Sequence, residues 1–368
     1  MRAIGLMSGT SLDGIDVALI DTDGEAVQGF GPFASYPYVE ADRALLRAAL
    51  TDARDLQDRA ARTPILAQAE ARLTQCHIEA VQAFFRAHGL SPREIDVIGF
   101  HGQTVLHRPE RHLTIQIGDA RAMAQVLDVR VVSDFRAADM AAGGQGAPFV
   151  PAYHRALVRG LDGELPVVVV NIGGVSNITY IDAGDVLLAC DTGPGNALLD
   201  DFMLAHTGIA MDRDGAAARQ GRINEDFVAR AMQHPFFAQG LPKSLDRNDF
   251  ASFASPDLSV EDGAATLAAF TARAIASIVP HLPRAPKCWI VCGGGAHNPV
   301  LMNMLAAQVA PARVMRAEDA GWNADAIEAQ AFAFLAVRSR FGLPLSYPGT
   351  TGVARPISGG VLSYPVGT

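Results

Sequence analysis

The feature that most constrains this chain is a pattern that occurs twice. Each half opens with an apolar strand, a turn of glycines and small polar residues, and a second strand. The first copy is Ile4-Gly5-Leu6-Met7-Ser8-Gly9-Thr10-Ser11-Leu12-Asp13-Gly14-Ile15-Asp16, and the second is Val168-Val169-Val170-Asn171-Ile172-Gly173-Gly174-Val175-Ser176-Asn177. Strands and helices alternate through the rest of both halves, which predicts an α/β chain. A repeated opening predicts two domains of one architecture flanking an interdomain cleft, a common place for a small ligand. The 368 residues leave room for both. The predicted division is 1–135, completed by the tail 342–368, and 136–341.

The coarse reading places strands at 3–8, 15–21, 95–100, 113–117 and 130–133 in the first half. In the second it places them at 167–170, 178–181, 186–190 and 287–292. Residues 41–88 read as helices broken near Thr63-Pro64. Further helices are expected near 197, at 222–233, 261–281 and 298–309, and over 324–340, where Ile327, Ala331, Phe334 and Leu335 share a side. The run Ala141-Ala142-Gly143-Gly144-Gln145-Gly146-Ala147-Pro148 reads equally well as a surface loop or as a segment crossing between domains.

Composition excludes several functions. The net charge of −9 argues against a general nucleic-acid binder, which needs a basic face. Lys243 and Lys287 are the only lysines, so no GxxxxGK[ST] phosphate loop exists. A bound phosphate must then be held by backbone N–H groups, arginine or a metal ion. Cys76, Cys190, Cys288 and Cys292 form no CxxC pair, which argues against structural zinc. No run of about 18 apolar residues predicts a membrane span, and the N-terminus does not read as a secretory signal. The expectation is a cytoplasmic protein without a membrane partner.

The first turn concentrates chemistry. Gly9, Thr10, Ser11 and Gly14 are small, so a ligand can approach the backbone amides, and successive amides make an anion-binding concavity. Asp13 and Asp16 lie in the same segment. Carboxylates beside a phosphate cradle require a cation, and Mg²⁺ with a nucleotide resolves the repulsion. Asp13 is the candidate metal ligand. Gly173 and Gly174 repeat the small-residue turn. Gly293-Gly294-Gly295 follows a strand and permits close approach of a ring or phosphate, although such turns are common. Asp191 is read at the C-terminal end of a strand, before Thr192-Gly193-Pro194-Gly195-Asn196, where ligand sites of α/β sheets lie. It can act as a base or cap the following turn. His101, Gln103 and Thr104 follow a strand and suit polar contacts to a hydroxylated ligand. Glu328 opens the last helix, where an acid also favours the helix N-terminus.

Together these motifs resemble the anhydro-N-acetylmuramic acid kinase family, over almost the whole chain. The carriers are the segment Gly5 to Asp16, His101-Gly102-Gln103-Thr104, Gln116-Ile117-Gly118, Ala141 to Pro148, Asn171-Ile172-Gly173-Gly174, Asp191 to Asn196, Pro242-Lys243-Ser244 and Glu328-Ala329-Gln330-Ala331-Phe332. The resemblance implies two duplicated actin/hexokinase-like (ribonuclease H-like) domains that close on ligand. It implies an ATP-dependent enzyme that opens 1,6-anhydro-N-acetylmuramic acid with water and phosphorylates O6 during peptidoglycan recycling. Asp191 matches the family base. Gly9, Thr10, Ser11, Leu12, Asp13, Gly14, Ile15 and Asp16 match the ATP-binding turn, and Gly293 to Gly295 its adenosine side. Glu328 matches an acid near the sugar. A homodimer is also implied. Leu245-Asp246 after Lys243-Ser244, and Trp322-Asn323 after Gly321, depart from the expected pattern. Rival readings are another kinase of the same superfold, a binding-only regulator, and a glycosidase pairing Asp191 with Glu328.

Overall fold

A computed structural model describes residues 1–9, 11–245, 247–253 and 257–366. The chain forms two compact units, Met1–Gly160 with Asp325–Thr368, and Leu161–Ala324.

The first unit is built on β1 (Arg2–Met7), whose Ala3, Ile4 and Leu6 are wholly buried. It pairs antiparallel with β2 (Gly14–Thr22), which pairs antiparallel with β3 (Val27–Pro37). On its other side β1 runs parallel to β4 (Val97–Phe100), and β4 parallel to β7 (Val131–Ser133). A separate hairpin joins β5 (Gln103–Arg108) to β6 (Leu113–Ile117). In the second unit, β8 (Val167–Ile172) pairs antiparallel with β9 (Val175–Ile181), and β9 with β10 (Leu187–Pro194). β8 also runs parallel to β11 (Cys288–Cys292), and β11 parallel to β12 (Arg313–Arg316). The two sheets therefore read β3-β2-β1-β4-β7 and β10-β9-β8-β11-β12. Strand order and strand sense are the same, which is the ribonuclease H-like topology of actin-like domains in duplicate.

The chain's end returns to the first unit. β13 (Val361–Ser363) pairs antiparallel with β7 and extends that sheet. The breaks between the compact units fall at 160/161 and 324/325, later and earlier than the 135/136 and 341/342 read from the sequence. The cause is the helix Ile327–Arg340. It lies so close to the sheet that a Cβ on Gly5 would meet the Ala329 carbonyl oxygen at 1.7 Å, and one on Gly99 the Phe332 carbonyl oxygen at 2.0 Å. The helix Val150–Arg159 packs against it in turn, with the Tyr153 hydroxyl donating to Gln330 Oε1 at 2.9 Å and the Tyr153 and Phe334 rings 5.4 Å apart.

β3, β5, β12 and β13 were not expected from the sequence. β3 carries Gly29, Gly31, Pro32 and Pro37, which read as breakers. It is an edge strand with an irregularity around Gly31-Pro32, where proline's missing N–H is tolerated. In the second unit, the segment Val260–His281 is long and apolar enough to cross a membrane. Its apolar window is 72% buried among the unit's other elements, as befits a core helix.

Substituting Gly5→Ala forces the helix Ile327–Arg340 off the sheet. We expect a loss at or above the top of the roughly 1–3 kcal/mol range for overpacking, read as a lower urea midpoint.

Candidate functional site

In the first unit the turn after β1 is held from below. Ser8 Oγ donates to Gln103 Oε1 at 2.7 Å and shares a 2.9 Å bond with the Tyr38 hydroxyl. Gln103 Nε2 donates to the Gly9 carbonyl at 3.2 Å. Gln103 is wholly buried and both ends of its amide are used. Leu12 adopts a left-handed backbone, φ +57°, and buries its side chain; Ile15 is buried too. Neither offers a side chain to a ligand. Thr10 lies outside the described residues. Asp13 Oδ1 accepts from Ser11 Oγ at 2.8 Å and from the Gly14 N–H at 3.0 Å.

Acids gather near this turn. The Asp16 carboxyl is raised above its ordinary range by burial and by Asp13 and Asp325, with a Ser35 hydrogen bond opposing. Glu328, in the first turn of its helix, is open to solvent but crowded by protein. Desolvation and the charges of Asp16 and Asp13 raise it, while the Arg136 guanidinium pulls it down. Arg136 was not singled out as a site residue. The signal was its place just after β7, in Asp134-Phe135-Arg136. Burial lowers it to about 10, so it stays charged at neutral pH. Its Nη2 donates to His101 Nε2 at 3.0 Å, which accepts because burial and the Arg136 charge drive His101 down to about 3. Thr104 Oγ1 accepts from Gln116 Nε2 at 3.2 Å. A cavity of about 160 Å³ opens over His101, Gly102 and Gln116, beside Arg59 and Asp134. Among the described residues no three His, Cys, Asp or Glu side chains are grouped to hold a metal ion by themselves.

In the second unit Asp191 lies within β10 rather than at its end, because the strand continues to Pro194 past a bulge between Asp191 and Gly193. Its N–H donates to the Lys243 carbonyl at 3.0 Å, and its Oδ2 accepts from the Leu245 N–H at 2.7 Å. The capping bond to Gly193 or Gly195 is not made; the Lys243–Leu245 segment holds the carboxylate instead. Lys243 itself is buried, with Nζ 4.4 Å from the Phe236 ring centroid and donating to the Phe236 carbonyl at 3.2 Å. Burial pushes Asp191 up to about 6, with the Leu245 N–H opposing.

The glycines of this unit divide into two kinds. Gly293 has φ +78°, and a Cβ there would meet Asn171 Oδ1 at 2.4 Å. Gly295 faces Ile172 Cγ2 at 2.4 Å, and Gly195 the Gly173 carbonyl oxygen at 2.1 Å. The fold itself needs these three. Gly173 and Gly174 have no neighbour nearer than 3.6 Å to such a Cβ, and Gly9 in the first unit none nearer than 3.5 Å. The carbonyls of Gly173 and Gly174 accept from the N–H groups of Asn196 and Gly195 at 2.7 and 2.9 Å, and the two glycine N–H groups stay out of that network. Beside the Gly293 turn lies a concavity of about 530 Å³ lined by His297, Met302, Met315, Arg316 and Asp319 among others.

The profile of the family described as anhydro-N-acetylmuramic acid kinase matches residues 1–365. The chain belongs to the anhydro-N-acetylmuramic acid kinase family. It is similar to the enzyme of that name from Nitrobacter winogradskyi, 61% identical over 99% of this chain and all of that one. The namesake from Rhodopseudomonas palustris is 60% identical over the same shares. That from Methylorubrum populi is 50% identical over 99% of each chain. Among solved structures, the activator of 2-hydroxyisocaproyl-CoA dehydratase from Clostridium difficile with bound ADPNP overlaps 92% of this chain and 94% of its own. It does so at 13% identity and a TM-score of 0.44. Membership in the anhydro-N-acetylmuramic acid kinase family rests on the sequence relatives, and the fold on the strand orders.

The two kinds of glycine separate by stability. Gly293→Ala is expected to cost about 1–3 kcal/mol through backbone strain and the clash with Asn171, whereas Gly173→Ala leaves the thermal midpoint near that of the unsubstituted protein.

Proposed function

We infer that this protein is an ATP-dependent kinase that opens 1,6-anhydro-N-acetylmuramic acid hydrolytically and phosphorylates O6. The products are N-acetylmuramic acid 6-phosphate and ADP, in peptidoglycan recycling. Family membership over residues 1–365 supports the substrate. The observation that carries the chemistry is Asp191, a half-buried residue whose backbone N–H and carboxylate are each held by the Lys243–Leu245 segment and whose carboxyl is raised to about 6. A base is most effective when its pKa lies near the working pH.

Asp191 takes a proton from the water that attacks the anomeric carbon. The bond from that carbon to O6 breaks, and O6 attacks the γ-phosphorus of ATP as ADP leaves. Such transfer depends on positioning and charge neutralisation more than on covalent chemistry. The Gly9–Asp16 turn and the Gly173-Gly174 turn offer room and amides to phosphates, and the Gly293 concavity offers Met302 and Met315 to an adenine ring. Gln103 acts by holding the Ser8-Gly9 turn rather than by touching sugar, while His101 and Thr104 border the sugar through the network that includes Arg136 and Gln116.

The donor set suits Mg²⁺. One Asp13 carboxylate with its Oδ1 already bonded, and no metal cage of protein groups among the described residues, match an ion that takes one or two carboxylates and fills its shell with phosphates and water. When bound, Mg²⁺ neutralises phosphate charge beside these acids. A cytoplasmic homodimer is the assembly the resemblance implies.

Incubation with the anhydrosugar, ATP and Mg²⁺ in ¹⁸O-water tests the reading by mass spectrometry. The label should appear on the sugar and not on the phosphate. Asp191→Asn should lower the rate by roughly 10²–10⁴-fold. Label in phosphate, or opening of the sugar without ATP, would sink the assignment.

The pH dependence follows from the raised carboxyl. The base works ionised, so kcat/KM should fall about tenfold per unit of pH below about 6 and level off above it. Steady-state rates between pH 4.5 and 8 give the inflection, which Asp191→Asn abolishes.

A further inference from the structure

Asp139 is wholly buried, with the Arg136 guanidinium within electrostatic reach of it. A buried carboxylate is costly unless hydrogen bonds satisfy it, and this one is met by three donors from two distant parts of the chain. Ser346 Oγ and Thr351 Oγ1 both donate to Oδ1, the threonine at 2.6 Å, and the Gly146 N–H donates to Oδ2 at 2.7 Å. The backbone follows the same path. The Gly144 N–H donates to the Asp139 carbonyl at 2.9 Å, and the Gln145 N–H to the Thr351 carbonyl at 2.8 Å. The loop is wound tightly: a Cβ on Gly144 would stand 2.3 Å from Asp139 Oδ2, and Gly146 has φ +73°. This is the glycine-rich run whose role the sequence left open.

The loop then reaches the site. The Gly146 carbonyl accepts from Arg136 Nη1 at 2.6 Å, and the other arm of the guanidinium is on His101 Nε2. Arg136 is the cation that offsets the crowding of acids around Glu328. We propose that Asp139 is a positioning residue for catalysis: it clamps the 143–148 loop to the C-terminal segment Ser346–Thr351, so that the Gly146 carbonyl fixes the Arg136 guanidinium within electrostatic reach of Glu328. The proposal rests on the kinase reading for what Glu328 and Arg136 serve. The C-terminal segment thereby contributes to the site without touching substrate.

The chemistry of the clamp dictates the variants. Asparagine can keep it, because its carbonyl accepts from Gly146 and its amide donates to both hydroxyls after they turn. Alanine removes all three bonds. Asp139→Ala should lower kcat/KM for the anhydrosugar by roughly tenfold to a hundredfold, the scale of a small misplacement at an active site. KM for ATP should be unchanged, and Asp139→Asn should restore most of the rate. If Asp139→Ala does not fold, Ser346→Ala combined with Thr351→Val removes two of the three bonds and decides the matter. In an Arg136→Lys background the loss should largely disappear, because residues acting through one group are not additive.

A readout independent of turnover is the ¹³C titration of the Glu328 carboxyl, which faces Asp13, Asp16 and Arg136. It should move to higher pH in Asp139→Ala or the Ser346/Thr351 double variant, and stay in place in Asp139→Asn. Wild-type rates from folded clamp variants, full additivity with Arg136→Lys, or an unmoved Glu328 titration would overturn the clamp. An inactive wild type with a shifted Glu328 would instead overturn the kinase reading and leave the clamp standing.

Discussion

The first unit depends on the close approach of one helix to one sheet. The helix Ile327–Arg340 rests on β1 and β4 at Gly5 and Gly99, where no side chain of any size fits. Alanines 329, 333 and 336 on the facing side make the approach possible from the helix. Two consequences follow from geometry alone. The helix begins near the turn after β1, so Glu328 comes within electrostatic reach of Asp13 and Asp16. The chain beyond the helix must also stay with this unit, where β13 completes the sheet and Ser346 and Thr351 reach Asp139. A contact between backbone atoms thus sets both the domain boundary and the position of an acid.

That acid sits in a costly environment. Three carboxylates, Asp13, Asp16 and Asp325, act on one another or on Glu328, and Arg136 is the cation that opposes them there. Like charges held close raise one another's pKa and favour any cation that arrives. On the proposed reading the protein meets phosphates together with a divalent ion, and such an ion would reverse the repulsion. Arg136 is buried and donates to two neutral acceptors, His101 Nε2 and the Gly146 carbonyl, while the charges of Glu328 and Asp139 act on it without a hydrogen bond between them among the described residues. Its field then acts on the acids nearby.

Much of this was legible in the sequence, for identifiable reasons. Gly-rich turns after apolar strands announce themselves, so both openings and their duplication were read correctly. Local spacing does not reveal which glycines serve the fold. Gly293 and Gly295 read as ligand-facing residues in the sequence, and the structure adds that a side chain at either would strike Asn171 or Ile172, a packing need that spacing does not show. Gln103 looked like a sugar contact for a similar reason: a polar residue after a strand is ambiguous until its partners are known, and these are Ser8 and Gly9. β3 was hidden by its prolines and glycines, because edge position is a property of the sheet and not of the segment. Asp139 gave no signal, since two of its three donors come from residues more than two hundred positions away.

The duplication also shows how one topology supports unlike chemistry. The equivalent turns after β1 and β8 both open space above small residues. The first is longer and adds Asp13, while the second is short and leaves two glycine N–H groups outside its own bonds. The third strands diverge further. β3 is a proline-bearing edge strand, whereas β10 carries Asp191 at a bulge that breaks the regular register with β9. A bulge re-aims a side chain and frees backbone to pair elsewhere. Here β10 is an edge strand, the Asp191 N–H donates to the Lys243 carbonyl, and the carboxylate accepts from the Leu245 N–H. Asp191 is therefore held by a segment more than fifty residues away as well as by the strand that bears it, so on the proposed reading the Lys243–Leu245 loop positions the base.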